Sequence, residues 1–155
     1  MNWKRRYFLA CSLKSAALVA AGLTGLLHPL AALAKRNTQA FQAGAESEAL
    51  AQLFPDREIM SSTKIDIGVH DLVENGAVVP VSIETSLPGV SSISVLADKN
   101  PNPLIARFNL TPPCQGFIAT RLKVAEPSNI VAVVESDGKL YSARKFIEVV
   151  AGGCG

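Results

Sequence analysis

The chain has 155 residues, 48% of them hydrophobic and 18% charged, with a formal net charge of +2 from 15 basic and 13 acidic residues. Four of the basic residues, Lys4, Arg5, Arg6 and Lys14, lie before Lys35 where there is no acid, so the remainder carries 11 basic against 13 acidic residues. This near-neutral balance, without a basic stripe, excludes an electrostatic footprint for nucleic acid, and His70, the one histidine after residue 34, leaves too few ligands for a zinc site of the usual His and Cys kind.

Residues 1–34 read as an export signal. The positive start, Met1 to Lys14, is followed by an apolar run from Ser15 to Ala34 that ends in Ala32-Leu33-Ala34, a small-residue pattern that suits a signal peptidase. Cleavage is predicted after Ala34. Gly22, Gly25, His28 and Pro29 interrupt the run and argue against a transmembrane anchor, so no membrane attachment is expected after cleavage. Arg5-Arg6-Tyr7-Phe8-Leu9 resembles a twin-arginine signal, with Trp3 and Lys4 where a Ser or Thr usually stands. That route exports proteins already folded, with a cofactor or a partner attached. No cofactor site is legible here, so the expectation is a partner, in the periplasm.

The 121 residues from Lys35 on are the size of one domain. Residues 35–62 are predicted to hold a polar leader, Lys35 to Ala43, and one short amphipathic helix. From Gly44 to Phe54, Ala45, Ala49, Leu50, Leu53 and Phe54 recur at helical spacing, Glu46 and Glu48 suit the first turn, and Pro55 ends the run.

Residues 63–150 change to a period of two. Ile65, Ile67 and Val69 alternate with polar residues, Glu74-Asn75-Gly76 marks a turn, and Ala77 to Glu84 follows as a strand whose Pro80 predicts an edge or a bulge. Further strands are predicted over Ser91 to Ala97, Leu104 to Leu110, Gly116 to Val124, Asn129 to Glu135 and Lys139 to Val150. Asp137-Gly138 gives a hairpin signal between the last two. About seven short strands at this spacing predict an all-β, two-sheet sandwich of immunoglobulin-like architecture.

Residues 151–155 are the tail Ala151-Gly152-Gly153-Cys154-Gly155. Glycines around one cysteine make a thin arm, lacking side chains that would bar it from a narrow cleft. Four extended steps from Val150 carry Cys154 at most about 13 to 14 Å. A thiol near the reference pKa of about 8.5 is mostly protonated at neutral pH. Arg144 and Lys145 lie in the preceding strand, not beside the cysteine. Activation is therefore expected from a visiting enzyme, and the chain reads as a substrate-bearing carrier, not an enzyme.

Alternatives stand beside this one. Cys11 leaves with the signal, so an oxidising compartment allows a Cys114–Cys154 disulfide, which would make the protein a non-catalytic binding module. A redox enzyme is disfavoured by the lack of a resolving cysteine nearby. Cys114 itself is expected to be a small buried hydrophobe. His70 is expected to be solvated or hydrogen-bonded, and Asp66 with Asp71 or Glu46 with Glu48 to be surface charge. No Gly-x-Ser-x-Gly elbow or phosphate loop is present.

With these residues in view, the chain resembles the SoxY family, the sulfur-carrier subunit of the periplasmic thiosulfate-oxidising (Sox) system. The resemblance rests on Glu74-Asn75-Gly76-Ala77-Val78-Val79-Pro80-Val81, on Asp98-Lys99-Asn100-Pro101-Asn102-Pro103-Leu104 with Phe108, on Ala119-Thr120-Arg121-Leu122-Lys123, and above all on Gly152-Gly153-Cys154-Gly155. It implies that Cys154 bears covalent sulfur intermediates, with no other cofactor. It also implies a heterodimer with a SoxZ-like β-sandwich subunit, export by the twin-arginine route, and three enzymes that act on the arm: a c-type haem sulfur-ligating enzyme, a sulfate-releasing hydrolase and a sulfane dehydrogenase. Two features depart from the family: its tail usually has a second glycine after the cysteine, and Cys114 is not part of its pattern.

Overall fold

A computed structural model describes residues 37–112 and 114–150. The predicted signal, with Arg5 and Arg6, and the tail Gly152, Gly153, Cys154 and Gly155 lie outside the described residues. Two helices come first, α1 over Thr38–Gln42 and α2 over Glu46–Leu53. Nine strands follow: β1 Ile59–Ser61, β2 Ile65–Gly68, β3 Leu72–Val73, β4 Val79–Thr85, β5 Val90–Ala97, β6 Leu104–Asn109, β7 Phe117–Leu122, β8 Ser128–Ser136 and β9 Lys139–Val149.

The strands form two sheets, as the alternation predicts. The larger runs β1-β9-β8-β5-β6, with β3 also pairing β9, and the smaller runs β2-β4-β7. Ile65 and Ile67 of β2, Val79, Val81 and Ile83 of β4, and Ile118 and Leu122 of β7 face Ile93, Val95, Ile130, Ala132, Val134 and Ile147 of the larger sheet in one buried core. Each of the Ile, Leu and Val side chains contributes about 1.5 to 3 kcal/mol on leaving water. The Asp137-Gly138 hairpin forms where expected, both residues having positive φ, as a tight two-residue connection requires.

The sandwich has a third layer. In β8 the run Ile130-Val131-Ala132-Val133-Val134 is buried throughout. The odd-numbered Val131 and Val133 turn away from the other sheet and pack under Ala40, Ala49 and Phe54 of the helical segment. A strand covered on both faces reads as continuously apolar, whereas an outer one alternates.

Three expectations are corrected. The single predicted helix is two, because Asn37 caps a helical turn inside the expected leader: its Oδ1 accepts from Ala40 N at 3.2 Å and its Nδ2 donates to Gln52 O at 2.7 Å. Burial of Ala40 then fixes a helix of five residues, too short to show a period. The strand count rises above seven because β1 and β3 are two- or three-residue pieces paired in parallel with β9. Pro80 sits on neither an edge nor a bulge, since β4 is the central strand of its sheet. β2 ends at Gly68 opposite Ser82, so on that side no ladder partner awaits the N–H that proline lacks.

Candidate functional site

The predicted arm leaves the domain at Val150, and the structure shows how that point is held. Leu72 and Val73 of β3 pair in parallel with Glu148 and Val149 of β9. Glu148 N donates to Asp71 O at 2.7 Å and Val150 N to Val73 O at 2.9 Å. The turn after β3 locks against the segment that follows β7. Asn75 Oδ1 accepts from Ala77 N at 2.9 Å, and Val124 N donates to Gly76 O at 2.7 Å. Gly76 is needed there for closeness, because a Cβ would stand 2.3 Å from Val124 O and 2.8 Å from Val149 Cγ1.

Of the three basic residues of β9, Arg144 and Lys145 lie toward this end, and both have partners. Lys145 Nζ donates to Val69 O at 2.7 Å and reaches Asp71 Oδ1 at 3.1 Å, tying down the connection between β2 and β3. Arg144 makes a two-pronged contact with Glu46 of α2, its Nη1 donating to Oε2 at 3.0 Å.

Beside the root lies a groove of about 900 Å³ on the open face of the smaller sheet, lined by His70, Pro80, Ser82, Thr120 and Arg121 among others. Its floor is recessed because Gly68, Ser82 and Ala119, aligned across the three strands, are all small. His70 is exposed at its mouth, as expected of a solvated histidine. A second hollow of about 240 Å³, lined by Val69, His70, Leu72, Val78 and Pro80 among others, adjoins it at the arm's root.

The other candidate residues are dispersed. Asp66 is exposed on the outer face of β2, whereas Asp71 is engaged by Lys145. Glu46 holds Arg144, and Glu48 Oε2 accepts from Gly44 N at 3.3 Å at the start of α2. None of these pairs converges as an acid and base would, and among the described residues no His, Cys, Asp and Glu cluster could hold a metal ion.

Cys114 corrects the expectation of burial. It is exposed on the link between β6 and β7, with Thr111 Oγ1 3.9 Å from its sulfur. It lines a hollow of about 410 Å³ together with Gly89, Val90 and Gly116. Gly89 in turn touches the Asp137-Gly138 hairpin, where Asp137 N donates to Gly89 O at 3.2 Å. Cys114 is therefore at the hairpin pole, and β9 runs from that pole to the arm's root. The strand's 11 residues cover about 33 Å. The arm reaches about 14 Å, and a disulfide adds a Cα separation of about 6 Å. Together these lengths fall short of β9, which argues against a Cys114–Cys154 bridge within one chain.

The Glu135 carboxyl is also at that pole, on β8 just before the hairpin. Burial alone would raise the pKa of Glu135, but hydrogen bonding and charge from Arg57, a bond from Ser92 and the charge of Arg107 outweigh it and hold the carboxyl below its ordinary value. Arg57 Nη1 donates to Glu135 Oε1 at 2.7 Å. Both guanidinium groups lie over the Phe54 ring, 5.8 and 5.0 Å from its centroid. This cluster fastens the end of the helical layer to the sheet.

The family model "Sulfur oxidation protein SoxY" matches residues 50–154, from α2 to the cysteine of the tail. The chain belongs to the SoxY family. Among solved structures it is similar to the sulfur carrier protein SoxY from Chlorobium limicola f thiosulfatophilum, at 36% identity and a TM-score of 0.62, over 67% of this chain and 94% of that one. A superoxide reductase (neelaredoxin) from Ignicoccus hospitalis, T24K, is similar at 18% identity and a TM-score of 0.50, over 68% of this chain and 90% of the other, which shows a shared fold and nothing more. No curated protein matches the chain. Sequence reasoning missed the anchor that this SoxY-family chain places under its tail, since parallel pairing between β3 and β9 leaves no local period. Its one signal is Gly76, whose close approach required contact with distant residues.

Proposed function

We propose that this chain is the sulfur carrier of a thiosulfate-oxidising Sox system, with Cys154 as the attachment point and Gly152, Gly153 and Gly155 as the arm. The observation that carries the reading is the rigid root. β9 is pinned by β3 up to Val150, and the thiol follows four residues later, within about 14 Å. The name of the Chlorobium limicola relative, a sulfur carrier protein, supports it.

In this reading thiosulfate and the Cys154 thiol join through a new S–S bond. The thiol proton is released, and two electrons pass to a c-type haem enzyme. Water then attacks the terminal sulfone under a hydrolase, sulfate leaves, and a persulfide remains on Cys154 for a sulfane dehydrogenase to oxidise. This chain supplies reach and presentation, and the enzymes supply activation. A SoxZ-like sandwich subunit is its stable partner. Arg5 and Arg6 direct export of the folded protein to the periplasm.

The test is intact-mass analysis after incubating the full mature chain with thiosulfate, the haem enzyme and an electron acceptor. Wild type should gain a thiosulfonate-sized adduct that Cys154→Ser lacks. Equal loading of the Cys154→Ser variant would end the proposal.

A further inference from the structure

Six large apolar side chains are notably exposed among the described residues; three of them, Leu72, Phe146 and Val150, lie on one face beside the root of the arm, and Val78 lies around the edge from Leu72. Phe146 is 58% exposed and Leu72 57%. Their placement follows from strand parity. Ile147 and Val149 face the core, so Phe146, Glu148 and Val150 face outward, and Leu72 stands opposite Glu148 on the same side. Val78 shares a hollow with Leu72 around the sheet's edge. Apolar side chains gathered in this way, and not scattered singly, mark a surface that another molecule covers.

The rim of this collar is acidic. Glu148 lies inside it, Glu74 lines the same hollow as Leu72 and Val78, and Asp71 is 84% exposed even while Lys145 touches it. The cations of β9 on this side are committed, Lys145 to Val69 O and Asp71, and Arg144 to Glu46, whereas Arg121 stands opposite Pro80 on the smaller sheet, on the Val78 side.

Resting on the carrier reading, we propose that this collar is the seat for the rim of the enzyme that loads Cys154, and that this rim presents apolar side chains ringed by lysine or arginine. The length of the arm selects the occupant. A cleft that takes in Cys154 consumes most of the roughly 14 Å between Val150 and the sulfur, so the lip of the cleft arrives at Val150 and covers Leu72 and Phe146 beside it. Complementary charge speeds and orients such an encounter, while the apolar contacts hold it long enough for the arm to be used.

The experiment measures the loading rate with thiosulfate and the haem enzyme against the concentration of the full mature carrier. It compares wild type, Leu72→Ser/Phe146→Ser and Glu148→Lys. The apolar double variant should raise KM for the carrier about tenfold and leave kcat within about twofold, because a saturating carrier still delivers its thiol. Glu148→Lys should raise KM at low salt and flatten its salt dependence. All three substitutions are at exposed positions, and unchanged circular dichroism confirms that the variants fold. An unmoved KM in the double variant, with wild type loading normally, overturns the collar alone. So does an unmoved KM accompanied by loss of a stable partner subunit or of self-association, since the collar would then belong to that contact. A wild-type chain that never gains an adduct overturns the carrier reading and the collar with it.

Discussion

The amide of Val150 donates to the carbonyl of Val73 at 2.9 Å, so the residue from which the glycine tail departs is fixed by a two-residue strand from the far side of the sequence. The tail's length is therefore measured from a defined point on the domain.

Gly76 is the wedge that permits this arrangement. Gly76→Ala would put a methyl group 2.3 Å from Val124 O and 2.8 Å from Val149 Cγ1, and backbone on one side cannot yield. A loss of about 1 to 3 kcal/mol is expected in urea unfolding, with faster amide exchange at Glu148 and Val150. Wild-type stability in the variant would show that the approach is looser than described.

Phe54 closes the helical layer over Val131, Val133 and Leu140 and lies under two guanidinium groups. Phe54→Ala should cost about 3 to 5 kcal/mol. A scanning calorimetry midpoint within a degree or two of wild type would contradict the three-layer core.

Acid should weaken the same corner. The Glu135 carboxyl has a folded pKa lowered from its ordinary value, so the stability it contributes is fully present above the unfolded carboxylate value of about 4.3. That contribution is lost as pH falls through the lower, folded value. Glu135→Gln should flatten the acid limb of a stability–pH curve and cost about 1 to 2 kcal/mol near pH 7, discounted because Arg57 is partly exposed. A variant whose stability falls in acid as steeply as wild type would remove Glu135 from the account.

Much of this molecule was legible beforehand. Two-residue alternation in Ile65 to Val69, the Asp137-Gly138 turn and the apolar β8 run each follow from local chemistry, and together they give a sandwich. What escaped depends on residues far apart in sequence. Leu72 and Val73 are too few to show a period, and they become a strand only because β9 passes beside them. Helix α1 exists because Asn37 reaches Gln52. Likewise Cys154 is legible as a thiol on a glycine arm, but the collar at its root needs three separate segments brought together, and no short window contains them.

Cys114 lies near the hairpin end of β9 and Val150, from which the tail departs, at the other, so oxidation should link cysteines between chains more readily than within one. Mild oxidant should give disulfide dimers whose yield falls on dilution, and wild-type monomer should keep both thiols open to alkylation. A monomer that has lost both thiols to one bridge would contradict the distance along β9. Cys114→Ser should change stability by less than about 0.5 kcal/mol, as expected of an exposed side chain away from any special contact.

β9 pairs with β8, β1 and β3, so three strands made earlier wait for the one made last among the described residues. Until the ribosome has released the segment through Val149, β8 is an unpaired edge of the larger sheet, and β1 and β3 have no strand to pair with. Order of synthesis thus acts as an inspection. A truncated product that stops short of the arm's root also lacks the strand that completes the fold, so a sorting step that accepts only folded chains would pass only copies synthesised as far as the point where the arm begins.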